Sequence, residues 1–288
     1  MVATLLELYK YERDNLRAGV IETIMEFAPT LERLPMVTIG SLTHSFNVEK
    51  ELGSVGFRSV NEAFPSGQGK VSRESQNLSL IGCDIKVDRA IAATDAGAAM
   101  SAAEVRRRVK AVSLRWQREY FEGDVSSDPE GFDGVNKRVQ GTPQEIDKGG
   151  ATLTLDAIHE VIDSLDVEPT VLVMNKATRS KIRNLAENKN AVQVSRDELG
   201  RTMLSYAGYP IAIVDKDEAG SAMLSDGDIY ALSFGLDSHY GAQLGELQVR
   251  ELGESRTTPQ DVIRVEWNAA PVFAAPRAVG RLTNASLT

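Results

Sequence analysis

The side chains able to do chemistry are few and scattered. Three histidines occur in 288 residues. His44 opens an alternating stretch, His159 sits in a helical pattern, and His239 falls in the loop-like run Asp237-Ser238-His239-Tyr240-Gly241. None has a second histidine four residues on or a glutamate at metal spacing, so the two-histidine zinc pattern is absent. Ser66-Gly67-Gln68-Gly69-Lys70 is a broken phosphate loop: Phe64 stands where the first glycine belongs and Val71 where the Ser or Thr belongs. Asp124 to Gly131 begins like a calcium loop, but Pro129 replaces the turn glycine and Val135 the bidentate glutamate. Nothing separates Asp215 and Asp217 into an acid and a base. The expectation is a protein that is not an enzyme and holds no cofactor and no metal.

The remaining candidates are cationic. Arg106, Arg107, Lys110, Arg115 and Arg118 share one face of a helical pattern. Of these, Arg106, Arg107 and Lys110 are candidates for non-specific phosphate contact; solvation or pairing with acids of a neighbouring subunit is the alternative. The whole chain opposes tight wrapping of nucleic acid, with 32 Lys and Arg against 41 Asp and Glu, a net charge of −9. The single cysteine, Cys83, excludes an intrachain disulfide framework and reads as a small packed hydrophobe in a strand. Apolar content of 42% and charged content of 25% are those of an ordinary soluble protein. No window approaches the length of uncharged apolar sequence a membrane span needs. The first ten residues lack a basic region and reach Glu7 at once, so no secretory signal is expected and the cytoplasm is the default folding compartment.

The elements that would position these residues are more informative. Thr43 to Ile91 reads as a long β-hairpin without a core. One arm is Thr43 to Glu49, the other Leu78 to Ile91, and the polar span between them is punctuated by Gly53, Gly56, Pro65, Gly67 and Gly69. Such a hairpin reaches about 50–60 Å at the usual rise per residue, against a radius of about 19 Å for a compact chain of this length. An isolated two-stranded ribbon is marginal in water, so it must lie on something, and another copy of the chain is the natural candidate. Before it, residues 3–27 carry Leu5, Leu8, Tyr9, Leu16, Val20, Ile24 and Phe27 at roughly helical spacing, followed by an extended connector through Pro29 and Pro35.

After it, a helix is predicted from about Ala102 to Glu122, opened by a Ser101/Glu104 capping box, with Val105, Val109, Val112, Trp116 and Tyr120 inward. A Gly-, Asp- and Ser-rich loop from Asp124 to Gly150 reads as a hinge between two subdomains. From residue 151 helices and strands alternate. Thr154 caps a helix to Leu165, Thr170–Met174 is a short buried strand, and Asn175 caps a helix to about Asn188. Residues 190–207 give no assignment, and strands follow at Pro210–Val214, Asp228–Phe234, Leu247–Leu252 and Val262–Ala269.

This order of pieces resembles the major capsid proteins of tailed double-stranded-DNA bacteriophages, whose Hong Kong 97-type fold is shared with encapsulin shells. Val20-Ile21-Glu22 through Leu34-Pro35-Met36 is similar to the family's N-terminal arm. Phe46 to Asp88 resembles its extended loop, returning through Leu80-Ile81-Gly82-Cys83-Asp84-Ile85. The 102–122 helix resembles the spine helix of the peripheral domain, Gly123-Asp124 with Phe132-Asp133-Gly134-Val135 the connecting loop, and Leu153 to Ile211 the axial domain. The resemblance implies an α+β chain divided into an arm (1–42), extended loop (43–91), peripheral domain (92–150), axial domain (151–260) and a C-terminal strand returning to the peripheral domain (261–288). It implies a virion shell of pentamers and hexamers, assembled in the host bacterial cytoplasm around DNA contacted non-specifically. A portal, a decoration protein and no membrane complete the partners. Some 20 residues precede the arm, where many members carry a scaffolding segment, so a separate scaffolding protein or prior cleavage is implied. Cross-linking, found in some members, is not carried over: Lys50 and Lys70 lie in the loop without an identifiable partner Asn.

On this reading the arm and hairpin bury themselves on neighbouring copies. The candidate subunit-interface residues are Phe46, Val48, Phe57, Phe64, Leu78, Leu80 and Trp116. The alternatives are an encapsulin-like compartment holding a cargo enzyme, and an α/β enzyme built on residues 151–234. The second lacks a Gly-rich fingerprint and an adequate supply of His and Cys.

Overall fold

The long alternating stretch after residue 78 does not pair with the stretch before residue 50. In the computed structural model, which describes residues 2–5, 15–94, 97–187, 192–196, 202–255 and 257–288, those two segments belong to different sheets. The chain opens with strand β1 (Val2–Ala3), helix α1 (Asn15–Phe27), the short helix α2 (Pro29–Arg33) and β2 (Met36–Ile39). Then come β3 (Thr43–Glu51), β4 (Lys70–Asn77) and β5 (Ser79–Asp88). Helix α3 (Arg89–Ala92) leads to the long α4 (Gly97–Glu122), α5 (Val135–Val139), β6 (Glu145–Asp147), α6 (Leu155–Asp163), β7 (Val171–Met174) and α7 (Lys176–Glu187). Eight further strands follow: β8 (Val192–Arg196), β9 (Thr202–Tyr206), β10 (Tyr209–Ile213), β11 (Ile229–Leu232), β12 (His239–Leu244), β13 (Gln248–Glu254), β14 (Gln260–Phe273) and β15 (Val279–Thr283).

β3 and β4 form a two-stranded antiparallel ladder from Thr43↔Asn77 to Glu51↔Lys70. β5 instead pairs along its whole length with β14, from Ser79↔Ala269 to Asp88↔Gln260. β14 is therefore the spine of a six-stranded sheet that also holds β1, β2, β12 and β13. The second sheet has seven strands in the order β6-β15-β11-β7-β10-β9-β8. In β7 all four residues are buried: Val171 and Val173 face the core shared with α4, while Leu172 and Met174 face the core under α6 and α7. A strand covered on both faces has no polar side to alternate with, which is why Val-Leu-Val-Met reads as an unbroken apolar run.

The sheets cut across the expected divisions. β12 and β13, placed by sequence in the axial segment, lie in the six-stranded sheet, and β15 returns to the seven-stranded one. The arm is also not unburied. Val20, Ile21, Ile24 and Met25 of α1, with Leu31, Leu34 and Met36, are all at most 3% exposed and belong to the chain's own main core. The proline connector carries this out: Pro29 opens α2, and β2 then adds in parallel to β12. Leu8 and Tyr9 lie outside the described residues.

α4 begins at Gly97, so Ser101 lies inside the helix and is not its cap; Glu104 instead pairs with Arg107 and Arg108. The run Gly-Ala-Ala-Met before Ser101 has no apolar stripe to announce it, although alanine is the strongest helix former. The expected caps at Thr154 and Asn175 form: Thr154 Oγ1 accepts from Ala157 N–H at 3.2 Å, and Asn175 Oδ1 from Thr178 N–H at 2.8 Å. The loop after α4 is packed rather than a hinge. Gly134 N–H donates to Gly123 O at 2.9 Å, and a Cβ on Gly134 would stand 2.6 Å from the Glu119 carbonyl and 2.8 Å from that of Tyr120.

Candidate subunit-contact surface

The β3–β4 ladder has a root and a tip with different surroundings. At the root Val48 is 2% exposed and Leu78 6%, while Phe46 is half-buried against the main core. His44 stacks on Phe46 and hydrogen-bonds Tyr240 Oη at 2.9 Å, and Arg138 reaches Glu74 at 3.3 Å. The root is thus tied to β12 and α5. Beyond Glu51 the chain continues to Lys70 without a regular element other than a single bridge between Ser54 and Gly67. This tip carries Leu52, Val55, Phe57, Val60 and Phe64, all at least 64% exposed, with Phe57 fully exposed. Single exposed apolar side chains need no explanation, but five between Glu51 and Lys70 make this segment a candidate contact surface.

The seven interface candidates therefore divide. Phe57, Phe64 and Leu80 are at the surface. Val48 and Leu78 are buried in their own chain, Phe46 is half-buried, and Trp116 is 1% exposed between Tyr120, Phe132 and Trp267. Within one chain these four pack against its own interior. Reading the hairpin as Thr43–Glu49 against Leu78–Ile91 put both arms outside the molecule; with the second arm in the six-stranded sheet, the residues at its root turn inward. Leu52, Val55 and Val60 escaped notice because they sit among polar turn residues without periodicity.

The arginines on the basic face of α4 pair with carboxylates of the same chain, and Lys110 packs on a ring. Arg106 meets Glu26 at 2.6 Å, Arg107 meets Glu104 at 2.6 Å, and the Lys110 ammonium lies 4.3 Å from the Phe27 ring centre. Arg115 reaches Asp128 at 3.1 Å and Arg118 reaches Glu122 at 3.2 Å. Lys50 and Lys70 likewise pair with Glu74 and Glu51.

Each histidine is held by a tyrosine. Tyr206 Oη meets His159 Nε2 at 3.0 Å, and Tyr120 Oη meets His239 Nε2 at 2.7 Å. His239, expected in a loop, lies in β12 fully buried, stacked on Phe273 at 4.3 Å. Its Nδ1–H donates to Val272 O at 2.9 Å, so Nε2 accepts from Tyr120. Burial pushes its pKa down to about 4 despite the Val272 bond, with the Arg138 charge adding to the fall. Burial also raises the Cys83 thiol, and a hydrogen bond from Lys137 leads the effects that hold Asp124 at about 2. Among the described residues no group of three or more His, Cys, Asp or Glu is placed to hold a metal, and no helix is long and apolar enough to cross a membrane.

No protein-family model matches the chain, and no curated protein does. Solved structures match it over nearly its full length. The holo-SrpI encapsulin complex from Synechococcus elongatus superposes with a TM-score of 0.68 at 14% identity, over 90% of this chain and 88% of that one. The capsid of the native GTA particle, computed with C5 symmetry, gives 0.63 at 17% identity over 96% and 93%. A structure from Mycobacterium phage Bobi gives 0.63 at 13% identity over 91% and 89%. The chain has the Hong Kong 97-type capsid fold. Within this capsid fold the arm is part of the subunit's own core, and the hairpin tip is the projecting apolar element.

Proposed function

We propose that this chain is the repeating subunit of an icosahedral shell, assembled through pentamers and hexamers around the double-stranded DNA of a tailed phage. The observation that carries the reading is the hairpin: a root fixed in the subunit and a tip whose apolar side chains have no cover there. Burying each such side chain against another copy is worth about 1.5–3 kcal/mol before association costs, and repetition around a ring makes modest contacts avid. The chain is structural in this reading, not enzymatic. Its histidines are used by tyrosines and its helix arginines by its own carboxylates, which suits a wall that touches DNA without gripping it. A separate scaffolding protein, a portal, a decoration protein and assembly in the host cytoplasm belong to the same proposal.

A second reading, a shell enclosing a cargo enzyme, is favoured by the match to the encapsulin complex. Electron microscopy of the purified protein tests both, with nuclease-protected nucleic acid marking the first and a co-purifying enzyme the second. A monodisperse monomer that never forms closed particles contradicts both.

A further inference from the structure

The tip needs a receiving site, and the fold places a cavity of about 140 Å³ at the root of the hairpin. Its walls are Ile81, Trp116, Phe132 and Ala269, and its rim carries Leu80, 73% exposed. Resting on the shell reading above, we propose that Phe57 of one copy seats its ring in this cavity of the next copy.

Size, charge and distance support the assignment. An apolar cavity of about 150 Å³ takes up benzene, so a phenyl ring matches this volume. Of the two tip phenylalanines, Phe64 already lies under the Arg58 guanidinium, 4.9 Å from its ring centre, whereas Phe57 is fully exposed. The cavity mouth is acidic, with Glu119, Asp128 and Glu130 against Arg115. Arg115 is engaged by Glu119 at 3.4 Å and Asp128 at 3.1 Å, while Glu130 has no cationic partner among the described residues. Arg58, adjacent to Phe57, donates to the carbonyls of Ser59 and Glu62 and pairs with no carboxylate among the described residues. Seating Phe57 brings a cation beside Glu130. The same copy cannot fill its own cavity. The cavity starts at Ser79, two residues beyond the end of β4, while Phe57 lies past the far end of the nine-residue β3, about 30 Å away at the usual rise per residue. Tip-to-root contact is then head-to-tail, the kind that closes into rings.

The test is disulfide trapping in a C83S background, which removes the native thiol. F57C and L80C, both at exposed positions, are introduced together and assembled particles are oxidised. A ladder of covalent multimers is expected from particles and monomers from dissociated protein; F57C with V194C, exposed elsewhere, should give no ladder. F57A should raise the concentration needed for assembly by about tenfold or more. R58E should weaken assembly and E130R should restore it. Normal shells in which F57C and L80C never cross-link, with R58E unrescued, would overturn the socket while leaving the shell reading intact. Absence of shells from the unaltered protein would instead remove the shell reading itself.

Discussion

The root and the tip of one hairpin are made of similar residues and live in opposite environments. Val48 and Leu78 are inside the molecule; Val55 and Phe57, a few residues further out, are fully in solvent. The difference lies in what flanks them. Root residues sit on a ladder tied to β12 and α5 through His44–Tyr240 and Glu74–Arg138, whereas the tip has a single internal bridge. Stability of the chain is therefore invested at the root, and on the proposed shell reading the capacity to associate is left at the tip.

Replacing residues 52–69 by a two-residue Asn-Gly turn gives the largest expected effect. Closed particles should disappear from electron micrographs while the far-UV circular dichroism and melting temperature of the subunit stay unchanged. A collapse of the melting temperature would show that the tip also stabilises the subunit. Next in size is Trp116→Ala, which empties the centre of the aromatic cluster and should cost about 3–5 kcal/mol in denaturant unfolding. An assembly defect without loss of stability there would contradict its placement as core.

His239 gives an intermediate effect. Its folded pKa of about 4 lies below its ordinary value of 6.5, so the unfolded chain binds the proton first. The stability it provides is full above pH 6.5 and is lost as pH falls through about 4, about 3 kcal/mol at the usual conversion. Urea unfolding between pH 7 and 4 should show this loss, and H239Q should flatten it; an unchanged slope in H239Q would refute the assignment. The smallest pair sharpens the contrast directly. Val48→Ala should destabilise the subunit by about 1–3 kcal/mol, and Phe57→Ser by less than about 0.5 kcal/mol. Equal losses would erase the distinction between root and tip.

What the sequence disclosed follows the same physics. Thr154, Asn175 and Val171–Met174 were legible because a cap side chain acts within three residues and a doubly covered strand is apolar throughout. Lys70–Asn77 was missed because its inward positions are Ser72, Glu74 and Gln76; they lie opposite Val48, Phe46 and His44, so β3 alone carries the apolar part of the shared face. β12 was missed because Ser-His-Tyr-Gly looks like a turn until the buried His239 is seen to donate to Val272 and accept from Tyr120. The contact surface was half legible. Phe57, Phe64 and Leu80, expected as contacts, are exposed, but no local pattern shows that Trp116, Val48 and Leu78 have partners in their own chain.

On the proposed reading a second copy covers the tip. Hydrogen–deuterium exchange of assembled particles against dissociated subunits measures that directly. Peptides spanning 52–64 should gain strong protection on assembly, while Val171–Met174, already buried, should not change. Equal, fast exchange of 52–64 in both states would contradict the account.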